Sequence, residues 1–401
     1  MKILFNSHRE FLKNLGSGYV GAQHFTNMFA MYWDKTKHSY IAFVFERPKD
    51  KKLGISYKTF KRGKHQWIVV KLWIPTAEIL KIHSGKESKD VRKVLDKLAS
   101  IINAQKPDLF FMNGFSALAY LLFIAAHRAG IPIVATHHGL WIKETEAVQR
   151  VKKIFSKNDL EFRRKVESDL ARYSKKNIFL TPLSQREYSK RLLKVPKSQV
   201  EYIALPYNPV FVSKVKAKPF TKDKKVIKIG IVARWDAVKN FPAYIAIAKE
   251  ARKQGLAWEF YAVTNPVPNS WLDAHVKSFN NYITQIDPMP PEKLKKFYQE
   301  MDLIVVPSYF ETFCGVVIEA LLQGRPVIVS PTVGTGDMLK QFGLNAWITQ
   351  FNNPKTVIGK IKKIAKTSPP KKLVNYIISH NHPEAIFKQY ESLFKKVISK
   401  K

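Results

Sequence analysis

The chain has 401 residues, 45% of them apolar and 12% aromatic, which is enough for two cores of the ~100–200 residues that a domain typically holds. Its single cysteine, Cys314, excludes an intrachain disulfide and a cysteine-based zinc cluster. The net charge is +37, and residues 47–97 alone hold 15 basic against 5 acidic side chains, so the excess is clustered and attracts polyanions or anionic membrane surfaces.

Met1 to His8 enters a strand-like run without the apolar core or cleavage site of a signal peptide. The longest apolar stretch, Phe115 to Ala126, falls short of the ~20 residues that a bilayer span needs. The expectation is a cytoplasmic chain, at most peripheral at the inner membrane face. After the first strand, Leu15-Gly16-Ser17-Gly18 and Gly21 make a flexible turn, either a plain reversal or a cradle of amides for a phosphate, and a helix including His24 follows. Leu109 to Met112, Ala117 to Ala129 and Ile131 to Ala135 read as the β-α-β unit of a parallel sheet. His137 and His138 follow that last strand, where either can exchange a proton with a bound hydroxyl or make a structural hydrogen bond.

Pro206 to Pro209 and the aperiodic segment Lys214 to Lys225 read as a linker. A second series runs from the strand Val226 to Val232 through a helix at Pro242 to Gln254 and strands at Trp258 to Val263, Leu303 to Val306 and Pro326 to Ser330. Arg234 and Lys239 place two cations beside the start of that helix, with Asn240 as N-cap, which suits a diphosphate or an ordinary basic surface. Further on, a strand ends at Pro307, a loop carries Glu311, Thr312, Phe313 and Cys314, and a helix runs from Gly315 to Gln323. Ligands of open parallel sheets bind beyond the strands' carboxyl ends, so Glu311 and Glu319 can face one cleft and accept from the hydroxyls of a polyhydroxylated ligand. On spacing alone, a helix-capping Glu311 and a solvated Glu319 are the simpler explanation. Pro383 to Ser399 has the apolar spacing of an amphipathic helix.

Pro307-Ser308-x-x-Glu311, seven intervening residues, Glu319-Ala320 and Gly324-x-Pro326-Val327 together resemble the donor site of the family 4 retaining glycosyltransferases (glycosyltransferases group 1). Arg234 with Lys239-Asn240 is similar to that family's Gly-Arg-x-x-x-x-Lys-Asn element, with Ala233 in place of its glycine. The resemblance implies an α/β GT-B fold of two facing Rossmann-like domains, residues 1–210 for the acceptor and 211–382 for the donor, with a terminal helix over 383–401 crossing back to the first. It implies transfer of a sugar from a nucleoside diphosphate to a hydroxyl of a glycan or lipid-linked acceptor, with retention of configuration. No cofactor and no metal are expected, and the sequence has no Asp-x-Asp pair. Catalytic roles fall to Glu311, His138, Arg234 and Lys239. Donor contacts fall to Gly16, Gly18, Arg234, Lys239, Glu311, Thr312, Phe313, Cys314, Gly315 and Glu319, with Glu311 on the transferred sugar and Glu319 on the ribose.

In this resemblance His138 matches a family histidine more closely than His137, and Thr181 to Ser184 looks like the end of the first domain's sheet. The sequence departs from the family pattern at Cys314, where glycine is usual, and at Val333 to Asp337, where the family has Gly-Gly and then Glu. The basic first domain, with Lys51-Lys52, Lys61-Arg62, Trp67 and Trp73 interleaved, suggests docking on anionic lipid head groups. Rival readings are a noncatalytic nucleotide-sugar-binding GT-B protein, an inverting enzyme, and a polyanion- or nucleic-acid-binding protein. No nucleic-acid-binding motif is recognisable, and nucleic acid is not expected as a partner.

Overall fold

A computed structural model describes residues 1–7, 21–46, 54–82, 86–114, 116–151, 155–212, 226–265 and 273–399. The loop with Gly16 and Gly18, the pair Lys51-Lys52 and the linker segment Lys214 to Lys225 lie outside them. Strands β1 (Lys2–Ser7), β2 (Ser39–Glu46), β3 (Gly54–Arg62), β4 (His65–Trp73), β5 (Leu109–Asn113), β6 (Ile133–His137), β7 (Lys176–Phe179) and β8 (Val200–Tyr202) form one sheet in the order β3-β4-β2-β1-β5-β6-β7-β8. Strands β9 (Ile227–Val232), β10 (Trp258–Val263), β11 (Thr284–Ile286), β12 (Leu303–Val306) and β13 (Val327–Val329) form a second in the order β11-β10-β9-β12-β13. Every pairing is parallel except that of β3 with β4.

Helices cover both faces of each sheet, which is why runs such as Ile3-Leu-Phe5, Leu109 to Met112 and Leu303 to Val306 are continuously apolar and buried rather than alternating. Strand β3 is the exception. It mixes basic, polar and aromatic side chains, is exposed along most of its length, and is joined to β4 by a two-residue reversal in which Gly63 takes φ 56°. Trp67 on β4 is buried and meets the Tyr40 ring edge-on at 5.7 Å, so it is a core residue and not the lipid-docking aromatic that the sequence suggested.

Thr181 and Ser184 also require a correction. The strand ends at Phe179, and the two side chains form a reciprocal capping box that starts the helix Pro182–Arg191. Thr181 Oγ1 accepts from the Ser184 amide at 3.2 Å, satisfying one of the amides that a helix start leaves unpaired.

The last helix, Pro383–Ile398, buries Ile386, Phe387, Tyr390, Leu393, Phe394 and Val397 in the core of the first sheet's layer. Phe387 meets Phe25 at 5.3 Å and Phe394 meets Phe111 at 5.2 Å. Each such side chain contributes roughly 1.5–3 kcal/mol of burial, so the helix crosses back and is held there by packing. Its approach is pinned where the Asn381 side chain donates to Leu205 O at 2.9 Å and the Tyr207 amide donates to Asn381 O at 3.0 Å.

Candidate active site

The carboxyl ends of the two sheets face each other across a cleft of about 1030 Å³, at the upper end of what small-molecule sites enclose. One wall comes from the ends of β1, β5 and β6, the other from the segments after β9 and β12. His138, Arg234, Lys239, Glu311, Thr312, Phe313, Cys314, Gly315 and Glu319 all line it.

On the second-sheet wall, two separate sequence motifs become one structure. Lys239 Nζ donates to Glu311 Oε1 at 2.6 Å, and Ser308 Oγ donates to the same oxygen at 2.8 Å. Burial works against the Lys239 ammonium, but Glu311 outweighs it, and the lysine pKa stands above its ordinary value. The loops are tied through the backbone as well, with the Tyr309 amide donating to Val238 O at 2.8 Å. Asn240 completes this link but does not cap the helix Phe241–Lys253. It sits in the left-handed region at φ 55°, and its amide side chain donates to Pro307 O at 3.1 Å. The side-chain cap in this segment is Asp236, which accepts from the Val238 amide at 3.1 Å. Arg234 stands at the rim, 68% exposed and 3.7 Å from Asp236, so its guanidinium can swing toward an anion.

Glu319 lies on the helix Gly315–Leu322, where the Tyr298 hydroxyl donates to its Oε2 at 2.7 Å. Burial raises its carboxyl from 4.5 to about 7, against the opposing effect of that hydrogen bond. Cys314 precedes the helix at φ 85°, a conformation that glycine adopts without strain. The backbone thus keeps the shape expected of a glycine, with a thiol added. Burial pushes that thiol well above its ordinary range, so it is not a thiolate. Gly334 is required for another reason: a Cβ there would lie 2.2 Å from Thr312 O.

On the first-sheet wall the two histidines separate. His137 is buried, stacked on Phe179 at 4.6 Å, with Nε2 3.0 Å from Asn177 Oδ1, and burial lowers its pKa from 6.5 to about 4. It is a neutral core residue. His138 opens into the cleft, its ring 5.1 Å from that of Phe25 and its Nε2 on Asn113 Oδ1. The Asn113 amide nitrogen donates to Thr26 Oγ1 at 2.7 Å, which fixes Oδ1 toward the histidine and makes Nε2 the protonated nitrogen. Asn6 locks the turn in place, its Oδ1 accepting from the Asn113 amide at 2.8 Å.

Sequence reasoning missed Asn6 and Asn113. The available signal was that each is a polar residue at the end of an apolar strand, on the edge where ligands bind. Contacts across the cleft were equally invisible. Thr312 Oγ1 donates to His138 O at 2.6 Å and Thr181 Oγ1 donates to Thr312 O at 2.8 Å, so the Thr312 hydroxyl joins the walls of the cleft. Asp337 accepts from the Leu183 amide at 3.1 Å and pairs with Arg186 at 3.2 Å, occupying the start of the next helix. Among the described residues no three His, Cys, Asp or Glu side chains converge as a metal site.

Two facing, mainly parallel sheets with helices on their faces and a ligand-sized cleft between their carboxyl edges, bridged by a returning terminal helix, define a GT-B protein. Sucrose-phosphate synthase from Thermosynechococcus elongatus has the same fold, with a TM-score of 0.73 at 17% identity over 100% of both chains. HepE of Anabaena, solved with UDP and glucose, has a TM-score of 0.64 at 15% identity over 99% of this chain and 100% of its own. Two family models match the sequence: Glycosyltransferase Family 4 over residues 21–210 and Glycosyl transferases group 1 over residues 226–367. The chain belongs to the group 1, family 4 glycosyltransferases.

Similarity to curated relatives is local. D-inositol 3-phosphate glycosyltransferase of Nocardia farcinica is 44% identical over 52 residues, 13% of this chain and 12% of that protein. An uncharacterized glycosyltransferase of Methanocaldococcus jannaschii is 32% identical over 73 residues, 18% of each. The chain therefore matches under a fifth of the length of either relative.

Proposed function

We propose that the protein transfers a sugar from a nucleoside diphosphate to a hydroxyl of a glycan or lipid-linked acceptor, with retention of configuration. The observation that carries this reading is the Lys239–Glu311 pair at 2.6 Å, held beside a helix start at the mouth of a parallel sheet. Lys239 and Arg234 take the diphosphate, Glu311 orients Lys239 and accepts from the transferred sugar's hydroxyls, and Glu319 accepts from the ribose. As the bond from the anomeric carbon to the diphosphate oxygen breaks, negative charge grows on that oxygen, and Lys239, preorganised on Glu311, lowers the barrier to its departure together with Arg234 swung in from the rim. The acceptor oxygen bonds to the same face of the anomeric carbon and gives its proton to the leaving diphosphate. His138, with Nε2 held on Asn113, presents its ring to the sugar. No step calls for a metal or cofactor.

The test is release of nucleoside diphosphate from a panel of nucleotide sugars in EDTA. Lys239→Met should lower turnover roughly 10²- to 10³-fold, the usual effect of losing one oxyanion-stabilising group. Near-normal turnover in that variant would remove the electrostatic basis of the mechanism.

The same reading extends to a membrane surface. Strand β3 lies at the sheet edge with Lys58, Lys61 and Arg62, and it exposes Tyr57 at 44% and Phe60 at 50%. Cations beside an amphipathic tyrosine and an apolar phenylalanine on one edge suit anionic head groups. No described helix is long and apolar enough to cross a membrane. Binding to vesicles that does not change with anionic lipid content would refute the docking.

A further inference from the structure

Glu144 opens into the cleft from the helix Trp141–Val151, which follows the His138 turn directly. That helix is fixed by Glu167, a buried carboxylate that accepts from the Trp141 and Ile142 amides, the second at 3.1 Å. Gly139 makes room for the side chain: a Cβ at that position would lie 2.7 Å from Glu144 Oε1, so the glycine admits the carboxylate to the histidine turn. Among the described residues the carboxylate has no hydrogen-bond or ion-pair partner. Burial raises its carboxyl above the ordinary range, with Lys239 and Arg234 pulling the other way and the carboxylates of Asp236 and Glu311 pushing it further up.

The rest of the wall gives this group its meaning. Both cations that line the cleft among the described residues, Arg234 and Lys239, belong to the second sheet, where the diphosphate is placed. The described lining from the first sheet's side contains no lysine or arginine. It presents the amide, hydroxyl and ring groups of Asn6, Ser7, Asn113, Ser116 and His138, with the apolar surfaces of Leu118 and Trp141 beside them. Among the described residues of that wall, a phosphate ester would meet a carboxylate and no lysine or arginine. A ring of hydroxyls would find an acceptor for two of them and apolar surface for its C–H face.

We propose that Glu144 is the acceptor-recognising residue of the cleft, selecting a neutral or cationic polyhydroxylated group and rejecting a phosphorylated one. The inference rests on the sugar-transfer reading and deepens it. It is tested by unfolding the full chain, saturated with a nucleoside diphosphate, against glucose, glucosamine and glucose 6-phosphate at matched ionic strength. Glucose and glucosamine should stabilise the wild type with apparent affinity roughly tenfold above that of the phosphate ester, the scale of one hydrogen bond to a charged group.

In Glu144→Gln that preference should disappear while the shift caused by the nucleotide alone is retained, which also shows that the variant is folded. Equal responses to the three sugars, zero included, overturn the inference. So does a preference that survives Glu144→Gln. If the substitution changes nucleotide affinity and leaves the sugar response alone, the carboxylate serves as counter-ion to Arg234 and Lys239 instead. A wild type that no nucleoside diphosphate stabilises removes the donor reading, and the inference with it.

Discussion

Glu319→Gln should make the empty protein more stable and its complex weaker. The carboxyl, raised by burial from 4.5 to about 7, keeps its proton in the folded chain where the unfolded chain has released it. The stability this provides is fully present below pH 4.5 and is lost as pH rises to about 7, because the unfolded state binds fewer protons over that window. A shift of that size corresponds to about 3 kcal/mol, and partial exposure to the cleft reduces the expectation to about 2 kcal/mol. Glutamine keeps the shape and the acceptor for the Tyr298 hydroxyl without the ionisation. Urea unfolding at pH 5 and pH 8 should therefore show a gain in the variant that is about 1.5 kcal/mol larger at the higher pH. Stabilisation by a nucleoside diphosphate should fall by roughly 1.5–3 kcal/mol, the value of a hydrogen bond to a charged group. A variant whose stability change is the same at both pH values would refute the reasoning about this carboxylate.

His138→Ala should cut turnover roughly 10²-fold through loss of sugar positioning and leave nucleotide binding unchanged, whereas His137→Gln should act on stability. Because burial lowers the His137 pKa from 6.5 to about 4, its contribution is complete above pH 6.5 and is lost as pH falls toward 4. A pH series of urea midpoints should show that acid limb flattened in His137→Gln, and an unchanged limb would place the titration elsewhere. Cys314→Gly removes a side chain from a backbone at φ 85°, and should raise unfolding free energy by roughly 0.5–1 kcal/mol once the glycine's own entropy is counted. A loss of that size, measured by urea titration, would mean that the thiol's packing outweighs the strain.

What the sequence disclosed was local. Glu311, Cys314 and Glu319 lie on one loop and helix within nine residues, so their spacing was visible, and the strand-loop-helix pattern around Arg234 was visible for the same reason. What joins them was not: Lys239 and Glu311 are 72 positions apart, and Asn113 meets Asn6 across 107. Asn240 was read as a cap because its residue type and place before Pro242 fit one. Its side chain went to Pro307 O, since linking two buried loops satisfies a carbonyl that water cannot reach. Strand β3 escaped notice because an exposed edge has no buried face to impose alternation, and Trp67 was misread because lysines precede it in sequence while its ring turns inward. Glu144 is one of several charged side chains on the helix Trp141–Val151, and no motif in the sequence singles it out. Only the turn at Gly139 shows where it points.

In the proposed reaction the cleft holds a nucleoside diphosphate on Arg234, Lys239 and Glu319. The direct measurement is unfolding of the wild type against a panel of nucleoside diphosphates in EDTA, with Lys239→Met beside it. One diphosphate should stabilise the wild type by about 2.7 kcal/mol at a hundred times its dissociation constant, in EDTA as in buffer, and lose most of that effect in the variant. If none shifts the transition, or if one shifts wild type and Lys239→Met equally, the diphosphate is not held where this account places it.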